Sequence, residues 1–204
     1  LSSNSTLTFS AAGTNITGAG ALNLDADNGI TINNDLFTSG TTDINADSDA
    51  DGTGTLVVAN SATVDTQDNA LTITADDINL NTSGALDSGS ASTTITESNG
   101  DGIGLGGTSV GLDITGTELQ NITATGLTLA TSADVVVDGI LGTNSDNVSG
   151  TLTIDSGNNV SFLTADSTFN ALDVQADDGV IISRNITTDT GALSFDGNTD
   201  AAAG

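Results

Sequence analysis

The residues best placed to do chemistry are the carboxylates of one short run, Asp47-Ser48-Asp49-Ala50-Asp51-Gly52. Three acids on alternate positions, followed by a glycine that lets the chain turn, make the opening half of a calcium-binding loop, because a hard divalent cation gathers oxygen ligands from tightly curved backbone. The twelfth position counted from Asp47 is Val58, not the bidentate Glu that closes such a loop. Two readings follow: a partial calcium site at Asp47, Asp49 and Asp51 completed by backbone carbonyls or a neighbouring segment, or an exposed acidic loop. A second run, Gly100-Asp101-Gly102-Ile103-Gly104-Leu105-Gly106-Gly107, has the composition of calcium-binding Gly/Asp repeats, but its aspartate is misplaced and it reads as a flexible turn.

Most other chemistry is excluded by what is missing. The 204 residues carry 27 acids against one base, Arg184, for a formal charge of −26, and they include no His or Cys. There is therefore no imidazole base or ligand, no thiolate and no disulfide. The absence of Lys, Trp and Tyr removes Schiff-base chemistry and the aromatic platforms on which bases and sugars stack. Nucleic acid is repelled at this charge. A lyase would need a base beside calcium and a hydrolase two opposed carboxylates with sugar-gripping aromatics; only Arg184 offers the first, and it reads more simply as a partner for nearby aspartates. The chain is expected not to be an enzyme and to bind no nucleic acid. No run is long enough to span a membrane as a helix, and Leu1-Ser2-Ser3-Asn4 is neither a start nor a signal peptide, so an upstream segment is expected to have been removed or omitted.

The elements that must position these residues are strands. The acids are 25 Asp and only two Glu, Glu97 and Glu118, beside 34 Thr, 21 Ser, 20 Asn and 25 Gly. Asp competes with the helix backbone and prefers turns, whereas Thr favours strands. Seven Asn-x-Ser/Thr sequons, at Asn4, Asn15, Asn81, Asn121, Asn147, Asn159 and Asn185, are no more than this composition gives by chance.

One sentence recurs: Ala21-Leu22-Asn23-Leu24-Asp25-Ala26-Asp27, Ala70-Leu71-Thr72-Ile73-Thr74-Ala75-Asp76 and Ala171-Leu172-Asp173-Val174-Gln175-Ala176-Asp177. The alternation is that of a strand with one buried face. A second strand follows seven or eight residues after the first Leu, in the pairs Leu22 with Ile30, Leu56 with Val64, Leu71 with Ile78, Leu127 with Val135, Leu152 with Val160 and Leu172 with Val180. After it comes a flank of variable length. This pattern predicts an all-β, right-handed parallel β-helix of about ten rungs of roughly 20 residues, with residues 1–204 as one solenoid segment that belongs to a longer array or stacks into a filament. The absence of Pro suits a fold in which nearly every strand is central. An antiparallel sandwich is the alternative, disfavoured by a total of five Phe and no larger aromatic. Outward Thr pairs such as Thr72/Thr74 and Thr151/Thr153 could form a flat ice-binding array, but Asn23/Asp25 and Asp173/Gln175 interrupt it.

The Ala-Leu-x-Ile-x-Ala-Asp-Asp-Ile-x-Leu rhythm of residues 70–80 resembles the degenerate repeats of filamentous-haemagglutinin-like exoproteins and large bacterial adhesins. The resemblance covers most of residues 7–196 and lies in patterning. It implies a right-handed parallel β-helix that is secreted or displayed at the cell surface as a rod, and it carries over no catalytic residue. The expected function is a structural rod serving as filament subunit, stalk or adhesin shaft, with head-to-tail stacking of copies. The alternative is a module that binds glycans or cell surfaces through loops at residues 43–54 and 86–110.

Overall fold

In the computed structural model the three matching segments become strands Leu22–Ala26, Leu71–Ala75 and Leu172–Ala176 of a single parallel sheet. The structure describes residues 1–10 and 20–199 and the backbone of Thr14–Ile16; the side chain of Asn15, one of the sequons, lies outside the described residues. The sheet has nine strands, the others being Ser2–Ser3, Thr42–Asn45, Ser92–Glu97, Gly126–Thr131, Leu152–Ser156 and Leu193–Asp196. Each pairs in parallel with the equivalent strand one turn away.

In-register stacking turns the alternation into columns. Leu24, Ile44, Ile73, Ile95, Leu129, Ile154, Val174 and Phe195 form one continuous ladder, and all but Phe195 are buried. The neighbouring inward column runs Leu22, Thr42, Leu71, Thr93, Leu127, Leu152, Leu172, Leu193. Its two threonines match the shape of Val, and each buried hydroxyl is satisfied: Thr42 Oγ1 lies 2.7 Å from Thr38 Oγ1, and Thr93 Oγ1 2.9 Å from Ser88 Oγ.

Two further faces close each turn. The second consists of Leu7–Phe9, Ile30–Ile32, Thr55–Val58 and Asp77–Asn79, followed by a separate sheet of Ile103–Leu105, Val135–Val137, Asn159–Phe162 and Gly179–Ile182. The third holds Thr14–Ile16, Leu36–Thr38, Thr63–Asp65, Ala85–Asp87 and Ile122–Thr123, then Ser167–Phe169 with Ile186–Thr188. The chain is thus a parallel β-solenoid with one apolar core enclosed by three faces.

The solenoid has about eight turns, not ten, and at about 4.8 Å per turn its stack is about 40 Å tall. The higher count treats every leading Leu as opening a new rung. Leu7 and Leu56 in fact lie on the second face, Leu86 on the third, and Leu112 in an inserted strand. All faces share one inward/outward alternation, so the local pattern cannot distinguish them. The presumed variable flank also carries a strand in most turns.

Between the two second-face sheets an insertion fills the gap. Leu112–Ile114 runs beside Ile103–Leu105 in the opposite sense, with Leu112 N donating to Gly102 O at 3.0 Å and Gly106 N to Ile114 O at 2.8 Å. Ile103, Leu105, Leu112 and Ile114 are all buried, so residues 100–107 are not a flexible turn. Gly106 is needed there: at φ +107° an added Cβ would stand 1.9 Å from the Asp138 carbonyl oxygen. The short helix Gly116–Gln120 follows, capped by Thr115, and Glu118 serves two roles. Its Oε2 accepts from Thr115 N at 3.0 Å, closing a capping box, and its Oε1 accepts from Leu80 N at 3.1 Å in the turn below.

Candidate metal centre

Where a first-face strand ends, an Ala faces inward and an Asp begins the corner: Ala26-Asp27, Ala46-Asp47 and Ala75-Asp76. At the first and third of these the next strand starts within a few residues. After Ala46 the corner is longer, with residues 47–54 intervening before Thr55–Val58. This loop is fastened to the turns on both sides. Ser48 Oγ donates to Asp27 Oδ1 at 2.5 Å, Asp76 N to Gly54 O at 3.0 Å, and Ser98 Oγ to Asp47 Oδ2 at 2.6 Å. Gly54 lies so close that a Cβ would meet Ala46 O at 2.2 Å.

The three aspartates singled out by sequence are brought together. One carboxylate oxygen from each of Asp47, Asp49 and Asp51 lies within 4.8 Å of the others, the only such group of three potential ligands among the described residues. Asp49 and Asp51 are exposed, whereas Asp47 is 2% exposed. Asp47 Oδ2 accepts from Ser98 Oγ and, at 3.3 Å, from Gly52 N; its Oδ1 is buried without a hydrogen-bond partner. Asp51 Oδ1 accepts from Thr53 Oγ1 at 2.5 Å.

Glu97 lies beside this corner and was not legible as a site residue. It occupies the register position of Ala75, pointing inward at 5% exposure. Its Oε1 accepts from the backbone N–H of Asn99, Gly100 and Asp101 at 2.7, 2.8 and 3.2 Å, and its Oε2 from Thr131 Oγ1 at 2.9 Å in the next turn. The available signal was its place in the inward series Thr93, Ile95, Glu97, in a chain whose only other Glu is Glu118. Asn99 in turn donates to Asp76 Oδ1 at 2.8 Å.

The corner concentrates negative charge. Partial desolvation, then the charges of Asp51, Asp27 and Asp47, raise the Asp49 carboxyl above its usual range. Burial, then Asp47 and Asp101, does the same for Asp76, against the opposing bond from Asn99. The one basic side chain, Arg184, lies elsewhere and donates to the carbonyls of Thr164 and Ser183. Its charge contributes to lowering Asp166, behind the bonds from Asn185.

Asp77, at the start of the next second-face strand, gives a pH prediction. Burial raises its carboxyl above the ordinary 3.8, with smaller contributions from Glu118 and Asp113, although Asp113 N donates to its Oδ1 at 3.2 Å. A raised folded-state value means that the folded protein holds the proton more tightly, so this group's contribution to stability falls as pH rises through the window above 3.8. Asp77→Asn is expected to be at least as stable as the parent at neutral pH, with its advantage disappearing towards pH 4. Urea unfolding at both pH values measures this. Asp68 and Asp166, lowered by bonds from Ser90 and Asn185, act oppositely and below 3.8.

The threonine surface is more continuous than the sequence suggests. Thr72, Thr94, Thr128 and Thr153 stack in consecutive turns of the first sheet, and Asp43 and Asp173 border them. Beside this column Thr74 and Thr96 give way to Ala130 and Asp155, so the paired array is two turns deep. No helix among the described residues is long and apolar enough to cross a membrane. No family model, curated protein or solved structure matches this chain, so its solenoid geometry and acidic corner supply the functional argument.

Proposed function

We propose that the chain is a structural rod, secreted or displayed at the cell surface, which serves as filament subunit, stalk or adhesin shaft. The observation that carries this reading is the unbroken nine-stranded parallel sheet, whose ladder runs through every turn. Such a stack is stiff along its axis because each turn is bonded to both neighbours. The likeness of residues 70–80 to haemagglutinin-type and adhesin repeats supports the same reading. The chain has 27 acids and one base, and among the described residues only Asp47, Glu97 and Glu118 of those acids are buried; such a surface keeps a rod dispersed and makes its behaviour salt-dependent.

Copies stack head to tail in this proposal. The last described turn presents Ile182, Leu193 and Phe195 at 53%, 41% and 37% exposure, although the equivalent inward residues one turn earlier are buried. A further turn laid on this edge would pair its backbone and cover those side chains. The double substitution Leu193→Asp/Phe195→Asp is expected to convert filaments, seen by electron microscopy, into short single rods. Short rods for the parent protein under all conditions would overturn end stacking and leave the rod itself. A glycan-binding reading through residues 86–110 is less well supported, because Ile103–Leu105 forms a buried strand in that stretch.

A further inference from the structure

We infer that the loop at residues 47–54 binds one calcium ion through Asp47, Asp49 and Asp51. The acidic cluster alone would not carry this, since a chain of −26 has many exposed acids. Asp47 does. It is 2% exposed, yet its Oδ1 has no donor, and no Lys or His exists anywhere in the chain to neutralise it. A buried carboxylate with one bare oxygen is costly unless a cation meets it.

The geometry selects the kind of cation. With neither His nor Cys, the donor set is all oxygen, which suits hard ions. Three carboxylate oxygens within 4.8 Å of one another are close enough to meet on one cation, and an open, partly exposed set of three carboxylates suits Ca²⁺ better than Mg²⁺, which demands near-octahedral order at about 2.1 Å and keeps most of its water. Asp49 and Asp51 are exposed, leaving the outer side of the ion to water. Asp47 approaches from the solenoid, held by Ser98.

Bound calcium also has a mechanical consequence. Asp47 lies two first-face strands before Ser98, and Ser48 reaches back to Asp27 in the preceding turn. An ion at Asp47 would fix a loop that already bridges four successive turns. Three carboxylates without a bidentate Glu point to a dissociation constant of about 0.1–1 mM, the range of extracellular calcium modules.

The test is calcium titration of the full chain by calorimetry in excess monovalent salt, which screens diffuse attraction to the acidic surface. Parallel runs use Mg²⁺, the Asp49→Asn/Asp51→Asn variant, and Asp173→Asn/Asp196→Asn as a charge-matched control. The expected result is one saturable calcium site, weakened at least 10-fold in Asp49→Asn/Asp51→Asn, kept in the control, and at least 10-fold weaker for Mg²⁺. Asp47→Asn should abolish it; if that variant fails to fold, the exposed double variant still decides. Absence of saturable binding, equal binding by the two double variants, or equal affinity for Mg²⁺ would overturn the assignment. None of these outcomes bears on whether the chain is a rod.

Discussion

Leu129→Ala is expected to destabilise the solenoid by about 2–5 kcal/mol, the usual cost of truncating a fully buried leucine. Leu129 is 0% exposed and stands in the ladder between Ile95 and Ile154, so the cavity opens against both neighbouring turns. In a globular core, side chains from several directions can relax into such a space. Here the turns above and below are tied by in-register backbone bonds, which limits collapse. Because each turn contacts chiefly its neighbours, weakening one interface should also split a single unfolding transition into two, one for the turns on each side. The adjacent outward substitution Thr128→Ala should change stability by less than about 0.5 kcal/mol. Urea unfolding followed by circular dichroism measures both; a Leu129→Ala loss no greater than that of Thr128→Ala would contradict the ladder.

Glu97→Ala is the second large effect, expected to cost about 2–4 kcal/mol. The carboxylate accepts from three successive backbone N–H groups and from Thr131; the alanine would leave Asn99 N, Gly100 N and the Thr131 hydroxyl without that acceptor, while Asp101 N keeps Asn99 Oδ1 at 3.0 Å. Gly100 and Asp101 are exposed, so water takes over part of that role and the loss stays below the sum of three buried donors. Glu97→Gln keeps one acceptor oxygen and should lose less than Glu97→Ala. The opposing contribution is repulsion, because Glu97 is one of the charges that raise Asp76. Comparing both variants by urea unfolding at high salt, where that repulsion is screened, isolates the hydrogen bonds. Full stability of Glu97→Ala under those conditions would mean that the backbone of residues 99–101 holds its shape without the carboxylate.

The solenoid was legible because stacking demands the same side chain at the same register position, and Leu22/Leu24, Leu71/Ile73 and Leu172/Val174 repeat that demand openly. The third face was not. Thr63–Asp65 and Ala85–Asp87 are three residues long with one buried apolar residue each, too short to display a period. The turn count failed for a related reason: Leu56, Leu71 and Leu86 are evenly spaced, but they lie on three different faces. At the acidic corner, the alternate spacing of Asp47, Asp49 and Asp51 foretold their convergence. The burial of Asp47 could not be read, because it depends on Ser98, 51 residues later. Glu97 was hidden by the opposite circumstance, a charged residue at a position where the repeat prescribes alanine.

The most direct test of the solenoid is a set of distances along its first face. With no native Cys, pairs of engineered cysteines can carry spin labels at outward positions that share one column: Asn23 with Thr128, Thr153 or Asp173. These pairs are separated by four, five and six turns. Pulsed electron spin resonance should give distances near about 19, 24 and 29 Å, rising by about 4.8 Å per turn. Distances that fail to increase by one strand spacing per turn, or that fall between Thr128 and Asp173, would contradict the parallel stack.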